Sequence, residues 1–156
     1  MIENTLKEYK RKETKMLDVS SDEFKRSWKR QEQQAKEIAD ANARRMMLFY
    51  AVECGGKHHL MLREGCFMYS RMPDKYKKLL HDIKKIMKEL GLEEKCEFPT
   101  LQSGHGQSIL PGQYQEMWRY GINIKKANEM GKLIEENMLK ALRLLHELEG
   151  RKWSRI

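Results

Sequence analysis

Proline and cysteine are both scarce in this sequence, with 3 of each in 156 residues. So little proline excludes a polyproline or collagen-like chain, and ten glycines do not make a flexible linker. An odd, small number of cysteines is not a disulfide scaffold and fits a reducing compartment, so a cytoplasmic location is expected. Long apolar runs are missing too. The longest, Met46 to Val52, has seven residues, far short of the roughly 20 that span a bilayer, and no membrane partner is expected. The opening Met-Ile-Glu-Asn-Thr-Leu-Lys-Glu contains acids and no apolar core behind a basic flank, so it does not read as a secretory signal.

What the chain does contain is charge and enough apolar residues for a core. Apolar residues make up 40% and charged residues 35%, which argues against disorder through lack of a core. Lys and Arg number 31 against 23 Asp and Glu, a formal net charge of +8. Residues 1–88 hold 21 basic and 13 acidic side chains, and residues 89–156 hold 10 of each, so the excess lies wholly in the first part. A basic surface concentrates polyanions around it, which points to nucleic acid or an acidic protein as partner.

The periodicity predicts a mainly α fold, a small helical bundle with two long helices and one shorter amphipathic helix. Residues 1–19 read as an arm or short helix, 20–150 as one helical domain and 151–156 as a basic tail. Ser20-Ser21-Asp22-Glu23 has the form of a capping box and predicts a helix start. Phe24, Trp28, Gln31, Ala35, Ile38, Asn42, Arg45, Phe49 and Val52 continue at steps of four and three, predicting one helix over 22–52 that Gly55-Gly56 ends. His58–Leu62 and Cys66–Ser70, joined by Arg63-Glu64-Gly65, suit a minor β-hairpin at 58–70, with helix as the competing reading. Pro73 opens a helix over 73–90 that Gly91-Leu92 closes, with Tyr76, Leu79, Leu80, Ile83, Ile86, Met87 and Leu90 on one arc. From Gln113 to Glu149 a seam of Met117, Tyr120, Ile124, Ala127, Gly131, Ile134, Met138, Ala141, Leu145 and Leu148 predicts a long coiled-coil-like helix stopped by Gly150, with Gly121 or Gly131 as possible breaks. Either the first helix or a second copy must cover that seam, and a homodimer through 117–148 is expected.

Three features bear on function. Opposite the apolar arc of the 73–90 helix, Lys77, Lys78, His81, Lys84, Lys85 and Lys88 share one face, and Arg44, Arg45 and Arg63 add guanidiniums suited to bidentate phosphate contacts. These nine are the candidate nucleic-acid-binding residues, set against the plainer reading of a solvated lysine face and local ion pairs with Glu37, Asp40 or Glu53. Phe98 to Gln115 is an eighteen-residue stretch without a charge. Its Ser103, His105 and Ser108 are candidates for a loop holding a nucleotide or other small ligand, although the glycines form neither a P-loop nor a dinucleotide fingerprint. Cys54, His58, His59, Cys66, Cys96 and His105 are zinc-ligand types, but without a Cys-x2-Cys knuckle no metal or other cofactor is expected. No nucleophile elbow or zinc-protease motif is present, so no catalytic residue is nominated. The sequence thus points to a small basic protein that acts by binding nucleic acid. The alternatives are an interaction module, adaptor or inhibitor, for an acidic partner, or a small-ligand protein using the 98–115 loop.

Overall fold

The computed structural model describes residues 17–151. The 1–19 arm, apart from its last three residues, and the tail beyond Arg151 lie outside them. Within this range the chain is mainly α, with helices α1 (Ser21–Ala35), α2 (Ala41–Glu64), α3 (Asp74–Lys77), α4 (Ile83–Glu89), α5 (Tyr114–Tyr120) and α6 (Ala127–Leu148). A two-stranded ribbon pairs β1 (Leu101–Gln102) with β2 (Ser108–Ile109), antiparallel and in the register Leu101 to Ile109. No helix among the described residues is long and apolar enough to cross a membrane.

The capping box forms as its sequence requires. Glu23 N–H donates to Ser20 Oγ at 3.1 Å and Ser20 N–H to Glu23 Oε1 at 3.0 Å. The single helix over 22–52 does not form. The chain turns at 36–40, and Asp40 caps a second helix by accepting from Ala43 N–H at 2.9 Å. The two helices fold back on each other, with Ser21 N–H donating to the Phe67 carbonyl just past the far end of α2. The polar middle of the 22–52 stripe marks this break, since a turn is where a chain meets water.

Gly55-Gly56 does not end α2, which runs on to Gly65. There a left-handed cap (φ 68°) directs Cys66 N–H to the Met61 carbonyl and Gly65 N–H to the Leu62 carbonyl. The glycines serve close packing instead. A Cβ on Gly55 would lie 2.9 Å from Trp28 and Leu145, and one on Gly56 would lie 2.3 Å from Ile86 Cγ2. From Leu48 to Met61 α2 is buried on nearly every side, with α1, α4, α5 and α6 packed around it. The hairpin over 58–70 is therefore absent, because its first strand is the last buried stretch of this helix. Its second run forms a bend and a 3-10 turn (Tyr69–Arg71), tied to the entering chain by Tyr69 N–H donating to the Val19 carbonyl.

Two further helices break where the apolar pattern runs through. The 73–90 segment interrupts at 78–82, with Leu80 in the left-handed region (φ 47°) and 61% exposed, and Asp82 recaps the chain for α4. Gly91 (φ 75°) then closes α4, with Leu92 N–H donating to the Met87 carbonyl as the sequence predicts. The 113–149 helix divides at 121–126, between Gly121 (φ 62°) and Lys126 (φ 56°). Gly131, Ile134, Met138, Ala141, Leu145 and Leu148 of its seam are buried within the chain, α6 lying against α2. A second copy is not needed to cover these six, while Tyr120 and Ala127 of the same seam remain exposed.

The close approach at Gly56 yields a stability test. Forcing a methyl into a packed site costs about 1–3 kcal/mol, against about 1 kcal/mol gained by removing a helix-interior glycine. Gly56→Ala should lower the melting temperature, read by circular dichroism, by about 2–8 °C.

Candidate functional site

α2 carries Glu53-Cys54-Gly55-Gly56-Lys57-His58-His59, an unusually polar stretch for a helix buried all round. Each polar group there must find a partner, because a buried charge without one is strongly destabilising. Lys57 Nζ meets Glu53 Oε2 at 2.7 Å, one helical turn away, and lies 5.3 Å from the centre of the Tyr69 ring. The same carboxylate oxygen is 2.9 Å from His81 Nδ1, which reaches in from the 78–82 turn. Burial alone would raise the Glu53 carboxyl, but the hydrogen bond from His81 and the Lys57 ammonium outweigh it and hold it below the usual range. That hydrogen bond in turn raises His81 above an ordinary imidazole, against the opposing effect of burial.

His58 and His59 are structural anchors. His58 Nδ1 donates to the Ser21 carbonyl at 2.8 Å, and His59 Nε2 to the Leu145 carbonyl at 2.9 Å, both nitrogens carrying hydrogen because a carbonyl only accepts. Burial lowers both imidazoles, His59 to about 4 with His58 adding to the effect, so both are neutral at pH 7. Burial also pushes the Cys54 thiol up to about 12, far from the thiolate that metal binding or nucleophilic attack requires. Among the described residues no three His, Cys, Asp or Glu side chains gather into a metal-holding group.

Lys57 of the ion pair lines a half-open cavity of about 340 Å³ whose walls come from four separate stretches of chain: Leu17-Asp18, Lys57 itself, Tyr69-Ser70 and Lys77, Leu80 and His81 around the turn. Asp18 is engaged on the rim by Ser70, whose hydroxyl donates to Oδ2 at 2.6 Å and whose N–H donates to Oδ1 at 3.0 Å. Leu80 forms part of the wall in its left-handed conformation, which costs a non-glycine residue on the order of 1–3 kcal/mol. This turn is what swings His81 inward, away from the lysines it would join on one continuous helix.

The residues nominated from sequence are distributed as follows. Lys77, Lys78, Lys84, Lys85 and Lys88 are exposed. Arg44 and Arg45 both bind Glu135 Oε1, each through Nε at 3.1 and 3.0 Å, and Arg44 also donates to the Ala39 carbonyl. Arg63 donates to the Glu89 carbonyl at the end of α4 and to the Tyr76 hydroxyl, which in turn donates to Glu64. In the uncharged loop, Ser103 is buried while His105 and Ser108 are exposed. The loop's backbone donors close on the protein itself, Gly104 N–H on the Asn123 carbonyl and Gln107 N–H on Ser103 Oγ. Sequence reasoning placed Glu53 only as an ion-pair alternative and did not find the cavity. The i,i+4 spacing of Glu53 and Lys57 was the one signal available.

No protein-family model, curated protein or solved structure matches the chain.

The titrations run in opposite directions and give a pH test. His58 and His59 have lowered folded values, so their contribution is complete above about 6.5 and is lost as pH falls toward 4. His81 has a raised value, so its contribution is complete below about 6.5 and is lost as pH rises through the folded value. Urea midpoints should fall steeply from pH 6.5 to 4.5, and His59→Gln should flatten that limb while His81→Gln flattens only the neutral-to-alkaline side. Lys57→Met leaves the buried Glu53 carboxylate with His81 alone. It should destabilise the protein by about 3–5 kcal/mol in urea unfolding, and the double change with Glu53→Leu should cost less.

Proposed function

We propose that the protein binds nucleic acid, acting by association and not by catalysis, through the outer surface of α3, α4 and the turn between them. What supports this reading is one observation. Lys78, Lys84, Lys85 and Lys88 are exposed there with no ion-pair partner among the described residues, and Lys77 meets only the exposed Asp74, at 3.7 Å. An exposed pair of that kind holds a lysine weakly, by about 0–1 kcal/mol, so a phosphate displaces it readily. Glu89, an acid at the edge of this surface, faces Arg63 at 3.7 Å. Arg44, Arg45, Arg63 and His81 are engaged by partners within the fold, His81 while still half-exposed, and act in this proposal mainly through their field. Two guanidiniums on the one Glu135 carboxylate leave a local positive excess that steers a polyanion from a distance. A homodimer through 117–148, where Tyr120 and Ala127 are exposed, and a cytoplasmic location belong to the same proposal.

Lysines on a surface contact phosphates without reading bases, so the expected affinity is salt-dependent and weakly selective. Fluorescence anisotropy with duplex DNA, single-stranded DNA and RNA at low and high salt tests it. Each phosphate neutralised adds about 0.9 to the negative salt slope on duplex and about 0.7 on single strands. The triple variant Lys84→Glu, Lys85→Glu, Lys88→Glu should abolish binding at moderate salt with its helical signal unchanged. Unaltered affinity, or no binding to any of the three polymers, overturns the reading in favour of an acidic protein as partner.

A further inference from the structure

The cavity over Lys57 lies apart from α4, and nothing in the proposed nucleic-acid surface explains a buried ammonium beneath an opening. We propose that this cavity is a binding site for a small monocarboxylate with an apolar body. An ammonium has three N–H donors, and among the described residues the one acceptor Lys57 has is Glu53 Oε2. The side chain is only 9% exposed, it lines the cavity, and its next neighbours are the faces of Tyr69 and Phe24, which attract a cation but accept no strong hydrogen bond. Donor capacity is thus available at the base of a half-open cavity.

The charges select the ligand. Lys57, Lys77 and His81 face the cavity from α2, α3 and the turn, and Asp18 faces it from the chain entering α1. Glu53 lies behind Lys57 and His81, and Arg119 of α5 acts on His81 from further away. With His81 protonated, four cations (Lys57, Lys77, His81 and the Arg71 that acts on Asp18) meet three carboxylates (Glu53, Asp18 and the Asp74 that pairs with Lys77), a sum of one positive charge. One carboxylate matches that sum, whereas a phosphate dianion overshoots it. Leu17, Leu80 and the Tyr69 ring supply apolar wall, and the volume of about 340 Å³ falls in the range of small-molecule sites. Leu80 is held in a backbone conformation that glycine would adopt without strain, yet its side chain is placed at the cavity. Strain of this sort collects at ligand-contacting positions.

Ligand-observed NMR titration of the full chain with octanoate, phenylacetate, their primary amides and inorganic phosphate tests the proposal. The two carboxylates should bind, more tightly at pH 6 than at pH 8, and the amides should bind roughly tenfold more weakly or worse, in keeping with a lost charge-assisted hydrogen bond. Lys57→Met is a poor probe, because it strands Glu53. Lys77→Met and Leu80→Gly leave that pair intact, and Leu80→Gly relieves the left-handed strain while deleting the wall. Each should weaken octanoate severalfold without lowering the melting temperature. His81→Gln should remove the difference between pH 6 and pH 8. Equal binding of amide and acid, binding of phosphate alone, or no binding of either carboxylate overturns the proposal. The Lys84, Lys85 and Lys88 triple variant should bind octanoate as the parent does, so failure of the nucleic-acid reading leaves this result standing, and the reverse holds.

Discussion

An ion pair between Glu53 and Lys57 lies inside the helix against which α1, α4, α5 and α6 pack, and much of the molecule is arranged to make that position tolerable. Two charges enter an apolar interior only at a cost that their partners must offset. The fold offsets it on the carboxylate by bringing His81 onto the same oxygen from a distant turn, and lays the Tyr69 ring against the ammonium, whose other donors are left toward the cavity. To deliver His81 the 73–90 segment has to break, and the break leaves Leu80 in a left-handed conformation. The exposed leucine, the interrupted helix and the cavity are therefore linked consequences of one buried pair.

The rest of the polar stretch sets register. Apolar packing around Gly55 and Gly56 gives close approach but tolerates sliding, because a methyl group meets its neighbours without direction. Hydrogen bonds do not tolerate it. His58 binds the Ser21 carbonyl at the start of α1 and His59 the Leu145 carbonyl near the end of α6, while Glu53 holds the turn before α4. Three neighbouring elements are thus each fixed on α2 by a directional bond, from Glu53, His58 and His59. The same bonds bury imidazoles in their neutral form, so the device that fixes register also makes the fold sensitive to acid.

Helix ends were legible in the sequence where a terminus has its own chemistry. Ser20 with Glu23, Gly91 with Leu92, and Gly150 each satisfy free backbone groups through residues within a few positions, and no distant contact is needed to recognise them. Interior breaks were legible at Gly121, a glycine inside the seam, and not at 36–40 or 78–82. A stripe at steps of three and four records which residues face the core, and it passes unchanged through the turns at 36–40, 78–82 and 121–126 because the chain re-enters the same core after each one. Gly55-Gly56 misled for the opposite reason. Glycine weakens an isolated helix, but here its missing side chain admits Trp28 and Ile86, and that tertiary gain outweighs propensity. The candidate cavity could not be read at all, since residues 17–18, 57, 69–70 and 77–81 meet only after the helices fold back.

Net charge, the first functional signal in the sequence, takes on meaning only once each cation is placed. Arg44 and Arg45 share one carboxylate, and Arg44 also donates to the Ile38 and Ala39 carbonyls in the turn between α1 and α2. Arg63 caps the Glu89 carbonyl left open at the end of α4, and Lys57 is locked to Glu53. These four count toward the +8 yet hold elements together. The lysines of α4 have no such duty. A lysine that anchors structure is short of solvent and close to a carboxylate, and one that stands ready for a partner has neither property. By that criterion the basic residues divide into an internal set that builds the fold and an external set, Lys78, Lys84, Lys85 and Lys88 among them, whose charge is offered outward.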